Sequence, residues 1–120
     1  MDGPKPTEIK LHKESNVLEV HFDNGEKFNY TCEFLRVNSP SAEVRGHGPG
    51  QETLQVGKED VSIENIEPVG SYAILPTFSD GHATGIFSWT ELYNLGKNHD
   101  ELWQDYLDRL KVAGHERKSK

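Results

Sequence analysis

Two histidines and one cysteine are the residues in this sequence whose types and surroundings could form a metal site. His47 and His82 lie in glycine-containing turns beside polar residues, and Cys32 is the single cysteine of the chain. Zinc prefers Cys and His and takes four ligands, or three and a water. These three side chains could converge if the two turns fold side by side. Since the sequence has no CxxC or HxxxH pair, the alternative is that both histidines bond the backbone of their own turns.

An unusual stretch at residues 34–51, FLRVNSPSAEVRGHGPGQ, contains one of these histidines. Its Gly and Pro residues restrict or extend the accessible backbone angles, and so they favour a shaped loop over a helix or a central strand. Its arginines, Arg36 and Arg45, could hold an anion together with backbone N–H groups of the loop. Alternatively, both arginines pair with acidic side chains.

Motifs for nucleophilic or phosphate chemistry are missing from the sequence. There is no GxSxG elbow, and RGHGPG lacks the GxxxxGK[ST] or GxGxxG pattern of phosphate-binding loops. Cys32 falls at the end of a predicted strand, which favours a buried and unreactive thiol. The residues therefore predict no catalytic constellation.

Composition limits the class of protein. A chain of 120 residues with 33% hydrophobic residues predicts one domain, and a net charge of −7 argues against nucleic acid or an anionic membrane as partner. No apolar stretch approaches the roughly 18 residues that a membrane helix needs, and no signal peptide is apparent. We expect a cytoplasmic protein with flexible ends at residues 1–6 and 114–120 and an ordered body at 7–113.

Alternating apolar and polar residues predict strands at 7–13, 18–22 and 27–32. Asp23-Asn24-Gly25 separates the second and third with the strongest short hairpin signal in the chain. Further on, residues 52–58 alternate weakly. A strand is predicted at 60–67, which Pro68 ends. Residues 72–78 and 83–87 are predicted to pair as a second hairpin. Pro76 predicts an edge position or a bulge in that hairpin.

Two helices are predicted after the strands. Ser88 and Glu91 form a capping box for the first, which Gly96 is placed to end. Asn98 and Glu101 cap the second, which ends near Gly114. The predicted fold class is therefore α+β, an antiparallel β meander with hairpins followed by two C-terminal helices packed on the sheet.

Three segments of the sequence carry a family resemblance: Asp23-Asn24-Gly25 with Phe28, the stretch at 34–51, and DGHATGIFSWTELYNLG. Together they resemble the gamma-butyrobetaine hydroxylase-like N-terminal domain family. In the carnitine-biosynthesis oxygenases this domain carries a structural zinc held by three cysteines and a histidine, and it precedes the catalytic domain. A similar domain is attached to Mrp-type ATPases that carry iron–sulfur clusters.

The resemblance implies that the zinc site is lost in this chain. The three cysteine positions fall on Ser39, Ser41 and Val44, and the histidine position falls on His82. We therefore expect no zinc or other cofactor, and a turn closed by serine hydroxyls that bond backbone amides. Because the chain ends after the predicted helices, we also expect no hydroxylase activity.

The function expected from the sequence is that of a non-catalytic interaction or accessory module. The resemblance suggests an iron–sulfur or other metal-handling protein as the partner. A module that binds a small molecule, an anion or a metal through the 34–51 loop and the His82 turn is the alternative. The candidate binding residues are Arg36, Asn38, Ser39, Ser41, Arg45, His47, Gln51 and His82.

Overall fold

The first sheet is a three-stranded antiparallel meander. The computed structural model describes residues 3–41, 44 and 54–115. Strand β1 is Pro6–His12, β2 is Val17–Phe22 and β3 is Lys27–Thr31, in the order β1-β2-β3. The turn before β3 places Gly25 at a φ of 90°, which glycine adopts without strain. The predicted hairpin is confirmed.

The alternation of residues along these strands creates one buried face. Leu18 pairs with Tyr30 and Val20 pairs with Phe28 across the hairpin, so their side chains share the side that faces the core. Leu18, Val20 and Tyr30 are fully buried. The opposite face of the sheet is turned towards solvent, as the alternating pattern predicts.

Helix α1, Cys32–Val37, was not predicted. The third strand ends one residue earlier than expected, because Thr31 begins this helix and its hydroxyl accepts a hydrogen bond from the N–H of Phe34. All six residues of α1 are buried. The start of the 34–51 stretch is thus helix rather than loop.

The second sheet is also antiparallel, in the order β4-β5-β6. Its strands are β4 Ile63–Val69, β5 Ala73–Phe78 and β6 Phe87–Ser88. The prediction that Pro68 ends the first of these strands is wrong, because β4 is an edge strand, where a residue without an N–H is tolerated. Pro76 lies in β5 beyond the two residues that pair with β6, so no bond of that ladder is lost.

The expected returning strand at 83–87 is reduced to β6, and the described residues 54–58 form no strand. In 52–58 the alternation of apolar residues was weak. Residues 82–86 instead form no strand, and His82 is held at the end of β5, where the N–H of Phe78 donates to its carbonyl at 2.9 Å.

The two C-terminal helices are α2, Trp89–Lys97, and α3, His99–Val112. Ser88 caps α2 by accepting from the N–H of Glu91. Gly96 does not end α2 but lies within it, where an added Cβ would come within 2.4 Å of the Phe28 ring. Asn98 makes no side-chain cap to α3; its amide donates to the carbonyl of Asn94 and closes α2 instead.

Both sheets and α2 share one core. It includes Leu18, Tyr30, Phe34, Phe78, Phe87 and Leu92, all at most 1% exposed. A smaller cluster joins Val37 of α1 to Tyr106 and Leu110 of α3. In the described part of the chain, no helix combines the length and apolar character needed to cross a bilayer.

Candidate functional site

The turn after α1 meets the turn after β5 through two buried polar side chains. The hydroxyl of Ser39 lies 3.0 Å from Nε2 of His82. Ser39 is fully buried and His82 is 6% exposed. Since a buried polar group must be hydrogen-bonded to avoid a large desolvation cost, this contact fixes the two turns against each other.

Two further hydroxyl contacts strengthen this junction. The N–H of Ser41 donates to Oγ of Ser39 at 3.3 Å, which is the serine–amide bond that the resemblance implies. Oγ of Ser41 lies 2.9 Å from Oγ1 of Thr84. Gly85 permits the close approach, because a Cβ added there would lie 2.0 Å from Oγ of Ser39.

Arg36 reaches the same turn from α1. Its Nε donates to Oδ2 of Asp80 at 2.9 Å, and Nζ of Lys58 donates to the same oxygen at 2.6 Å. The N–H of His82 donates to the other oxygen, Oδ1, at 3.2 Å. Burial raises the pKa of Asp80, but the bonds from Lys58, the N–H of His82 and Arg36 together outweigh it and lower the pKa to about 2.

One nitrogen of Arg36 stands apart from this network. Its Nη1 is buried and has no hydrogen-bond acceptor within the part of the chain that the structure describes. The Arg36 side chain as a whole is 8% exposed. A buried guanidinium nitrogen without an acceptor is costly, and it calls for an explanation.

The remaining candidates divide into two groups. Asn38 ends α1, where its side-chain amide donates to the carbonyl of Phe34 at 3.0 Å, and this is a structural role. Arg45, His47 and Gln51 lie outside the described residues.

The structure brings Arg36, Ser39, Ser41 and His82 together, but it places them in the interior. Each is at most 8% exposed, so none forms an open contact surface. Three further residues of the site were not predicted: Asp80, which pairs with Arg36, Thr84, which pairs with Ser41, and Lys58, which pairs with Asp80. Each comes from a segment 22 or more residues away from its partner, and local sequence patterns carry no signal for such pairing.

The positions to which the resemblance assigns zinc ligands do not fit a zinc ion. Proteins bind zinc through thiolates, imidazoles and carboxylates, whereas Ser39 and Ser41 offer neutral hydroxyls and Val44 offers no donor. Nε2 of His82 faces a serine hydroxyl. Among the residues that the structure describes, no group of three or more His, Cys, Asp or Glu could hold a metal ion.

Cys32, the third candidate for a metal site, is the first residue of α1. It is 1% exposed, and burial raises the pKa of its thiol, although the N–H of Ile63 bonds to the sulfur and opposes the shift. Its environment is that of the inert thiol that the sequence predicts.

Comparison with known proteins gives a family and several similar structures. The family model described as gamma-butyrobetaine hydroxylase-like, N-terminal, matches residues 9–93. A protein solved by NMR is 50% identical, with a TM-score of 0.83 over 97% of this chain and 86% of that one. A second NMR structure is 43% identical, with a TM-score of 0.83 over 99% and 94% of the two chains.

A crystal structure from Acidithiobacillus ferrooxidans is also similar. It is of a protein of unknown function in the DUF971 family, 41% identical, with a TM-score of 0.64 over 77% of this chain and 92% of that one. Among curated proteins the comparison gives no match.

Proposed function

This chain belongs to the gamma-butyrobetaine hydroxylase-like N-terminal family, and we propose that it is a non-catalytic module that binds another protein. The observation that carries the proposal is the buried contact between Ser39 and His82. In a hydrolytic site a serine–histidine pair would open towards a substrate. Here the serine is fully buried and the pair braces two turns.

The other reactive side chain is equally inaccessible. Cys32 is 1% exposed and its thiol has a raised pKa, whereas a nucleophilic thiol needs exposure and a lowered pKa. Among the described residues, Ser39, His82 and Cys32 therefore serve to hold the fold. This supports a role in which the domain presents a surface and performs no reaction.

The contact surface that we propose is the exposed segment beside the braced turns. Thr84 is exposed there, and Ile86 exposes 45% of its surface, which is high for an isoleucine. The buried bonds from Ser39, Ser41 and Arg36 hold the base of this segment rigid. A preorganised surface loses less conformational entropy on binding, and so it binds more tightly for its area.

We propose a metal-handling protein, in the first instance an iron–sulfur protein, as the partner, and the cytoplasm as the place where they meet. The family resemblance supports this choice. The single cysteine excludes the usual four-thiolate ligation of a cluster by this chain, so its role would be that of an adaptor.

Site-specific cross-linking in native cells tests the proposal. A photo-reactive residue at Thr84 should capture an iron–sulfur or other metal-handling protein, and Ile86→Glu should abolish the capture. The matched control is a photo-reactive residue at Val112, an apolar position 90% exposed at the end of α3, where we expect no capture. Equal capture from both positions would contradict the proposed surface.

The alternative, a metal-binding module, predicts a different result. Addition of micromolar zinc to the isolated protein would then shift the NMR signals of His82 and of its neighbours selectively. We expect no saturable shift there, because the imidazole already faces the hydroxyl of Ser39.

A further inference from the structure

Two cations share one carboxylate beside the braced turns. Arg36 and Lys58 both donate to Oδ2 of Asp80, at 2.9 and 2.6 Å. In the described chain Asp80 is the one carboxylate within ion-pair distance of either cation. Among the ion pairs of the described residues, Asp80 therefore balances one of these two positive charges, in a protein whose net charge is −7.

Both cations are largely withdrawn from water. The side chain of Arg36 is 8% exposed and that of Lys58 is 21% exposed. A cation at such a depth needs a counter-charge, since water no longer screens it well. Asp80 supplies that charge to only one of the two.

The buried Nη1 of Arg36 points to the same conclusion by a separate route. It has no acceptor in the described part of the chain. A lone water could accept its hydrogen bond but would leave the charge unbalanced. An anion with several oxygen atoms would satisfy both requirements, because it accepts hydrogen bonds and carries negative charge.

We propose that Arg36 and Lys58 form a binding site for a small oxyanion of the phosphate class. The oxyanion accepts from Nη1 of Arg36, which has no acceptor among the described residues, and from Nζ of Lys58. The two side chains are neighbours, since Nε of Arg36 and Nζ of Lys58 both donate to Oδ2 of Asp80. The fork of a guanidinium matches the spacing of phosphate oxygens, and the lysine adds a point charge. The proposal of this anion site does not depend on the proposed protein contact, although Arg36 belongs to both regions.

The test is a titration of the ¹⁵N-labelled full chain with sodium phosphate, with sodium chloride at matched ionic strength as the reference. We expect saturable shifts in the side-chain Nε–H of Arg36 and in the backbone N–H groups of Asp80 and His82. Lys58→Gln should weaken phosphate binding about tenfold, which is the effect of losing one charge-assisted hydrogen bond. Lys97→Gln is the matched control, because Lys97 also pairs with a carboxylate but is 50% exposed and lies on α2.

A second variant should change the phosphate affinity in the opposite direction. Asp80→Asn removes the negative charge that repels the anion but keeps an acceptor for the N–H of His82. We expect phosphate to bind this variant about tenfold more tightly. If Arg36, Lys58 and Asp80 formed only a structural ion-pair cluster, Asp80→Asn would not increase the affinity for phosphate. Because Arg36→Gln could unfold the domain, the Lys58 and Asp80 variants carry the test.

Three outcomes would contradict the proposed phosphate site. The first is the absence of a phosphate-specific saturable shift. The second is equal affinity in Lys58→Gln and Lys97→Gln, or no gain in Asp80→Asn. The third is a crystal structure grown without oxyanions in which Nη1 of Arg36 donates to a carbonyl of its own chain.

Discussion

Oγ of Ser39 and Nε2 of His82 lie 3.0 Å apart, although 43 residues separate them in the chain. Ser39 follows α1, which comes directly after β3 of the first sheet, and His82 follows β5 of the second sheet. This contact therefore joins the two halves of the fold at a buried point. Its removal should weaken the whole domain.

Ser39→Ala tests this relationship. The substitution leaves the imidazole of His82 and the N–H of Ser41 without the hydroxyl, and a buried group that loses its partner costs about 1–3 kcal/mol. Urea unfolding should show that loss with an unchanged m-value. The control is Ser79→Ala, whose hydroxyl accepts from the N–H of Ser62 at 2.9 Å in an exposed turn. Equal losses in the two variants would show that the buried contact has no special weight.

Gly85→Ala should destabilise the protein by overpacking. The new Cβ would lie 2.0 Å from Oγ of Ser39, and a forced rearrangement in a packed site costs about 1–3 kcal/mol. Ser39→Ala removes the clashing atom, so the double variant should lose less than the sum of the two single losses. Gly3→Ala, where nothing lies within 4 Å, should be neutral in the same unfolding assay. Strict additivity would argue against the close approach.

The outer face of the first sheet should respond to acid. Glu19 accepts from His21 and from His12, and these bonds lower the pKa of its carboxyl from 4.5 to about 2. A carboxyl with a depressed pKa stabilises the fold above its unfolded pKa and loses that contribution as the pH falls. Between pH 4.5 and 2 the wild type should therefore lose more stability than Glu19→Gln. An equal loss of unfolding free energy in the two proteins over this pH range would contradict the prediction.

A second charge-removing variant controls the acid experiment. Glu64→Gln removes a carboxylate from an exposed position on the edge strand β4. Its stability should follow that of the wild type through the whole acid range. A difference as large as that of Glu19→Gln would mean that net charge, and not the histidine contacts, governs the response.

The sequence predicts the first sheet well because two independent signals agree there. Alternation places Leu18 and Val20 on one face, and the turn at Gly25 sets the register of the hairpin. It does not predict α1, which is only six residues long and buried on all sides, so no amphipathic pattern arises. The capping residue Thr31 was the one local sign of this helix.

The candidate site, too, is predicted from the sequence only in part. The family resemblance places Ser39, Ser41 and His82 at related positions, and the structure brings them together. The pairing of Arg36 with Asp80 spans 44 residues and depends on how the two sheets meet, which no local pattern encodes. Composition likewise cannot reveal that these polar side chains are buried rather than presented to solvent.

The thiol of Cys32 should be protected in the folded protein. It is 1% exposed and burial raises its pKa, so both access and thiolate content are low. The variant Ser15→Cys adds an exposed thiol to the same molecule. With Ellman's reagent at pH 8 the added thiol should react at once. Cys32 should react at least about a hundredfold more slowly, because opening a buried region costs several kcal/mol. In guanidinium chloride both thiols should react together. A single fast phase for both thiols under native conditions would show that α1 opens readily, and so that it cannot hold Ser39 and Arg36 rigidly in place.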